Sequence, residues 1–311
     1  MVEFIGLVFT IYAVFAWAIA SLVYKAGLEK TEPKANLFFR LCCVSLGAFF
    51  FSFIFGNYMF FNSLNSIELI SYLLACLISG LSVTVGDLLY YISLKKIDAS
   101  RAYPLVQLSL IFIFPFSVLL FGAELKLSVL LGGFLFIVSV FILSSKDRTR
   151  KIEPNRDLQK KDSENVITGV LFAVGAALLW AIAILSFNQA RIITGDVFVT
   201  NFLRVAIATI LFLPLGIFQP IYYSGFKKEN RKNLKYFVYI GIAGILSLGF
   251  ADTLFYKAAE INGLILTSVF TLNTPLLQQI FSILVLKEKF RKRFLIAVGL
   301  IIFSNYIILF L

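Results

Sequence analysis

Two aspartates sit where an aspartate is expensive. Asp87 lies in GDLLYYISLKK (residues 86–96) and Asp252 in ADTLFYKAAEI (residues 251–261), each near the end of a long apolar run. The aspartates are 165 residues apart, and each is followed four residues later by a tyrosine, Tyr91 or Tyr256. A carboxylate deep in an apolar medium costs about 2.5–3.5 kcal/mol on insertion scales. It persists there when it is paired, faces water or carries a proton. Deep cations are available as partners: Arg40 in LFFR (37–40) and Arg204 in NFLR (201–204). Their distances from the helix ends predict an Arg40–Asp87 pair and an Arg204–Asp252 pair at matching depths, one on each side of a central site. Such pairs serve either as structural tethers or as gates and binding groups. The chain has no histidine, so a carboxylate is also the natural proton carrier. The i, i+4 spacing puts each tyrosine on the face of its aspartate. There its hydroxyl holds the carboxylate, or its ring sits in an interfacial aromatic belt.

Further polar groups punctuate the apolar runs: Gln107, Asn188, Gln189, Asn273, Gln278 and Gln279. Asn273 precedes Pro275 in TLNTPLLQQ, where the proline frees a backbone carbonyl. That combination suits a binding site at mid-membrane or, equally, hydrogen-bond glue between helices. Trp17 and Trp180 recur at matching positions and fit cavity walls or plain packing. Glu124 and Glu288 stand at loop edges among lysines and read as solvated or helix-capping. No phosphate loop, HExxH, paired histidines or nucleophile with a base is present, which argues against an enzyme and against ATP-driven transport. Cys42, Cys43 and Cys76 lie in apolar runs and read as packing residues.

The elements that must hold these groups are dictated by composition. Of 311 residues, 60% are hydrophobic and 14% charged, with a mean hydropathy of +0.92. Only a bilayer suits such a chain as solvent. The net charge of +11 then reflects basic loops rather than nucleic-acid binding. The first 24 residues carry no Lys or Arg, so the positive n-region of a secretory signal is missing. Apolar runs of spanning length occur at about 4–24, 36–56, 68–93, 99–121 and 127–145. Five more occur at about 167–189, 197–218, 234–256, 263–285 and 294–311. The expectation is an all-α integral membrane protein of ten transmembrane helices. Residues 146–166 hold seven basic and five acidic residues and read as a charged linker between 1–145 and 167–311.

These halves repeat. GLVFTIYAVFAWAIA (6–20) aligns with GVLFAVGAALLWAIA (169–183), and LFFR with NFLR. The aspartate segments follow, then FGAELK (121–126) against LVLKEKF (284–290). The offset drifts only between 163 and 165. An odd number of spans per repeat inverts the second half, giving two inverted five-helix repeats with a site between them.

On these residues each half resembles an EamA-type repeat of the drug/metabolite transporter superfamily. The resemblance covers nearly the whole chain. It implies an exporter or exchanger of amino acids, nucleotide sugars or similar metabolites. It also implies a central cavity lined by helices 1–4 and 6–9, with helices 5 and 10 peripheral. One departure stands out. The family's proline before the loop glutamate is Pro275 in the second half, whereas the first half has Ile111, flanked by Pro104 and Pro115. This predicts that helices four and nine bend at different depths.

Of the Lys and Arg residues, 24 fall on odd loops and 3 on even loops. The positive-inside rule then makes the 146–166 loop cytoplasmic and both termini external. The resemblance implies the opposite orientation. The bias is shared by five loops, which favours the charges. The resulting expectation is a multi-pass plasma (inner) membrane protein, a secondary active transporter of a small polar metabolite, foremost an amino acid. A flippase for lipid-linked headgroups is the alternative. Expected partners are the solute and membrane lipids, with no nucleic acid, and the chain is a monomer or homodimer. No cofactor or metal is expected, and proton coupling stays open.

Overall fold

In the computed structural model, residues 3–124, 126–144, 156–285, 287 and 293–310 are described. Every regular element among them is helical. The first half contains α1 (Phe4–Leu28), α2 (Pro33–Phe55), α3 (Ser66–Lys96), α4 (Ala99–Val106), α5 (Ser109–Phe121) and α6 (Leu127–Ser144). The second contains α7 (Arg156–Thr194), α8 (Val197–Phe212), a short α9 (Leu215–Phe218), α10 (Leu234–Gly244), α11 (Asp252–Asn262), α12 (Leu264–Phe270), α13 (Thr274–Val285) and α14 (Arg293–Phe310).

Among the described residues, eight helical stretches are long and apolar enough to cross a membrane. They are Phe4–Leu28, Pro33–Phe55, Ser66–Lys96, Ala99–Phe121, Glu164–Thr194, Val197–Phe218, Asn230–Asn262 and Leu264–Val285. Shorter apolar helices cover Leu127–Ser139 and Phe294–Ile308. Large side chains such as Phe49, Phe50, Phe53 and Phe218 are exposed. A lipid-facing surface accounts for them, since water would penalise each. Local chemistry sets the helix ends. Asn65 and Glu68 form a reciprocal capping box at the start of α3. Gly263, at φ +82°, makes the turn between α11 and α12 that other residues resist.

The first helix of each half is embedded in the other half. α1 packs chiefly on α10, α11 and α13, and α7 packs along α3, α4 and α5. α2 and α8 pack together at the centre. α6 and α14 pair at one side, where Ser304 Oγ donates to the Gly132 carbonyl at 2.7 Å.

Two sequence expectations change. Helix α7 begins at Arg156, so residues 156–166 of the segment read as linker are helical. Once a long membrane helix has nucleated, good helix formers extend it into water at little cost. Residues 145–155, the rest of that segment, and Glu288 lie outside the described residues. Glu124 is exposed.

The bends of helices four and nine fall at matching positions, not at different depths. α4 and α12 begin 165 residues apart, as do α5 and α13. Between them lie Gln107–Leu108 in one half and the 3₁₀ turn Thr271–Asn273 in the other. Pro275 deprives the Thr271 carbonyl of its i+4 donor, and Gln107 Nε2 donates to that carbonyl at 3.0 Å. A hydrogen bond thus joins the two breaks. Pro115 sits inside α5 without interrupting it.

The halves also differ by a local insertion. Residues Ile245–Ala251 form a π-helical turn between α10 and α11, whereas α3 runs as uninterrupted α-helix. A π turn holds one extra residue. The repeat offset is 164 at Arg40/Arg204 and at Gly80/Gly244, and 165 at Asp87/Asp252. The extra residue is taken up by this turn, immediately before the aspartate.

Gly80 and Gly244 occupy equivalent places beside the arginines. A Cβ on Gly80 would collide with the Arg204 carbonyl oxygen, and one on Gly244 with Arg40 Cγ. Backbone cannot yield as a flexible side chain can. Gly80→Ala is therefore expected to lower stability by about 1–3 kcal/mol. Gly299→Ala, which meets open space, should change it little. Unfolding of both variants in mixed detergent micelles checks the difference.

Candidate functional site

The α2–α8 contact and the exchanged first helices enclose a cavity of about 110 Å³, room for a few waters or a small solute. Its lining comes from the eight long stretches, and among the described residues none of it comes from α6 or α14. Most of the wall is apolar. The charged exceptions are two clusters built on one plan, beside neutral polar groups such as Gln107, Ser109 and Ser268.

In the first, the Arg40 guanidinium is ion-paired through Nη2 to Asp87 Oδ2. Its carbon lies 5.2 Å from the ring centre of Tyr24 and 5.4 Å from that of Tyr91. In the second, Arg204 Nη2 reaches Asp252 Oδ2 at 2.6 Å. That guanidinium lies 4.6 Å from the Phe187 ring and 5.4 Å from the Tyr256 ring. Each arginine thus rests against two aromatic rings, one from the first helix of its half and one from the aspartate helix. Cation–π attraction offsets part of the lost hydration.

The two clusters are linked crosswise. Trp17 Nε1 donates to Asp252 Oδ1 at 2.9 Å, and Trp180 Nε1 donates to Asp87 Oδ1 at 3.1 Å. Each aspartate therefore takes an arginine from its own half and an indole from the other half. Gly86 lets Trp180 approach, because a Cβ there would meet indole Cδ1 at 2.7 Å.

The clusters differ in one respect. Asn201 Oδ1 accepts from Arg204 Nε at 2.8 Å. Its Nδ2 donates to the Leu248 and Gly249 carbonyls at 3.0 and 2.7 Å, both in the π turn, and to Thr253 Oγ1 at 2.9 Å. Asn201 therefore couples the π turn to the arginine. The first half has Leu37 at the matching position, and Arg40 Nε has no partner among the described residues. Tyr24 donates or accepts at Ser247 Oγ, 2.7 Å away, tying α1 to the π turn.

Of the residues singled out in the sequence, Trp17, Arg40, Asp87, Gln107, Trp180, Arg204, Asp252 and Tyr256 line the cavity. Tyr91, Asn273 and Gln278 do not. Tyr91 is buried against Arg40 and Tyr24, and its hydroxyl has no partner among the described residues, so it neither holds Asp87 nor sits in an aromatic belt. Tyr256 likewise stacks its ring on Phe187, with centroids 3.6 Å apart. Asn273 exchanges hydrogen bonds with Asn305 of α14 at 2.7 and 3.2 Å, away from the cavity. Gln278 is fully buried in α13, with neither polar atom partnered among the described residues. Asn188 accepts from Arg191 Nη2, and Gln189 is exposed.

Sequence reasoning passed over Tyr24, Tyr90, Tyr103, Ser247 and Asn201. Tyr24 was within reach, because the offset of 163 that matches the tryptophans also matches Tyr24 to Phe187. Asn201 stood in the quoted NFLR, but nothing in the sequence announces a π turn.

A helical bundle with a lipid-facing apolar surface and a charged cavity at its centre defines a multi-pass integral membrane protein. Residues 4–145 and 167–310 match the EamA-like transporter family, and the chain belongs to that family. It is 25% identical over 243 residues to an uncharacterized transporter of Archaeoglobus fulgidus, covering 78% of each chain. A protein crystal structure superposes with a TM-score of 0.69 at 15% identity, covering 97% of this chain and 95% of the other, which shows a shared fold. Family membership points to a transporter rather than an enzyme.

Asn201→Leu, which installs the first-half residue, removes the partner of Arg204 Nε and the side-chain donor to the Leu248 carbonyl. A buried polar group left unpaired costs about 1–3 kcal/mol. Thermal unfolding in detergent should show a clear loss for this variant and a smaller one for Asn305→Leu.

Proposed function

We propose that this protein is a secondary active transporter that moves a small polar metabolite, foremost an amino acid, by alternating access through the central cavity. The observation that carries this reading is the convergence of both Arg–Asp pairs and both tryptophans on one cavity. Such a cluster is costly in a bilayer, and simple tethering calls for neither the cavity nor the crosswise indole bonds. Each aspartate is shared between an arginine of its own half and an indole of the other. Separating the halves on one side breaks an indole bond while leaving the ion pair, so the crosswise bonds suit groups that are broken and remade in a cycle.

In this reading the repeats at 1–145 and 167–311 are inverted five-helix units. α6 and α14 then complete ten spans, and the membrane is the plasma membrane with the 146–166 loop in the cytoplasm. A carboxylate of the cluster is also the group available to couple flux to protons.

Proteoliposome uptake of labelled amino acids and small metabolites, with and without a pH gradient, tests the function. Saturable uptake is expected, falling at least tenfold in Asp87→Asn and in Asp252→Asn with the size-exclusion profile intact. Absence of any solute flux together with scrambling of labelled lipid would replace the reading with lipid flipping. Orientation is tested with one cysteine in the 146–166 loop of a chain lacking Cys42, Cys43 and Cys76. In intact cells it should resist a membrane-impermeant maleimide and react after lysis; labelling of intact cells would reverse the topology.

A further inference from the structure

The two carboxylates look equivalent in the sequence and are not equivalent in space. The side chains of Arg40 and Asp87 are 3% and 6% exposed, and that of Arg204 is 1% exposed. The Asp252 side chain is 15% exposed and lines the cavity. Each nitrogen of Arg204 has a partner: Nε donates to Asn201, Nη1 to Ser79 Oγ at 3.4 Å and Nη2 to Asp252. Of the four charged side chains that line the cavity, Asp252 is the most exposed, so the most open charge is negative. Among the described residues each Asp252 oxygen has a single donor, Trp17 on Oδ1 and Arg204 on Oδ2. A carboxylate accepts about four. Beside it, the rings of Trp17 and Phe255 meet at 5.6 Å between centroids, and both line the cavity. An anion with free lone pairs next to aromatic faces is what an organic ammonium group binds. Val83, Leu110, Ile113 and Leu248 make the rest of the wall suited to an apolar substituent.

We infer that Asp252 is the docking group for the cationic nitrogen of an amine-bearing solute, and that Asp87, on the same cavity wall but more deeply buried, is its less accessible counterpart. This deepens, and rests on, the reading of the cavity as a solute site. The π turn and Asn201 account for the difference. They add one residue before Asp252 and anchor Arg204 from behind, so its carboxylate stands into the cavity. An ammonium group arriving at Asp252 competes with Arg204 and Trp17 for the carboxylate, which links solute occupancy to the crosswise bond between the halves.

The test is binding to the purified full chain in detergent. It is read by thermal shift and by the fluorescence of the two tryptophans, both of which line the cavity. The probes share a shape and differ in charge: isoamylammonium, isoamyl alcohol and isocaproate, with L-leucine to separate a zwitterion from a plain amine. Isoamylammonium or L-leucine should bind saturably and at least tenfold more tightly than the alcohol and the carboxylate. Asp252→Asn should remove that preference, Asp252→Glu should retain it, and Glu68→Gln, at an exposed carboxylate outside the cavity, should leave it unchanged. Equal or tighter binding of the alcohol or isocaproate overturns the inference, as does an amine preference that survives in Asp252→Asn. Should Asp252→Asn not fold, the probe series on the unaltered protein and on Asp252→Glu still decides. Amine binding without flux in liposomes would uphold this inference and refute transport. Flux confined to solutes without an amine would do the reverse.

Discussion

Four charges buried in a membrane protein are the constraint to which the rest of the structure answers. An isolated carboxylate or guanidinium in the bilayer interior is costly, and breaking a buried pair costs several kcal/mol more than an exposed one. Arg40–Asp87 and Arg204–Asp252 meet that cost with ion pairs, aromatic rings against each guanidinium and an indole donor on each carboxylate. The indole must come from the other half, so α1 and α7 are exchanged between halves. Close approach of α3 to α8 and of α10 to α2 then requires glycine at 80 and 244. Much of the interhelical geometry follows from keeping these charges satisfied around one cavity.

A duplicated sequence would be expected to give two equal clusters, but a single inserted residue breaks the equality. An α-helix takes up an extra residue as a π turn, which leaves carbonyls without their usual donors. Asn201 supplies donors to two of them and fixes Arg204 at the same time. The insertion and the asparagine belong together: the first half has neither, and there Arg40 Nε lacks the partner that Arg204 Nε has. The most open carboxylate of the site lies directly after the π turn, in keeping with the tendency of such turns to occur where function requires a local departure from helical register.

Much of this was readable beforehand. Span positions follow from hydropathy, because the bilayer allows no other fold for long apolar runs. The pairing of Arg40 with Asp87 and of Arg204 with Asp252 follows from depth, since partners counted from loops on the same side must lie level. What the sequence left open was side-chain direction. Tyr91 and Tyr256 share a face with their aspartates, yet their rings turn to the arginines, because a buried guanidinium gains more from an aromatic face than a carboxylate already holding two donors gains from a hydroxyl. Asn273 followed the second of its two readings, hydrogen bonding between helices, but its partner Asn305, 32 residues away, is one that no local pattern singles out.

The sequence by itself determined the solvent, the helices, the repeat and the identity of the buried charges, since each depends on composition, period or depth along one chain. The tertiary structure decided which indole meets which aspartate, where the paired helices break and which carboxylate opens to the cavity. Those outcomes depend on how the two halves interlock and on one residue of helical register, and neither is encoded in any single stretch of the chain.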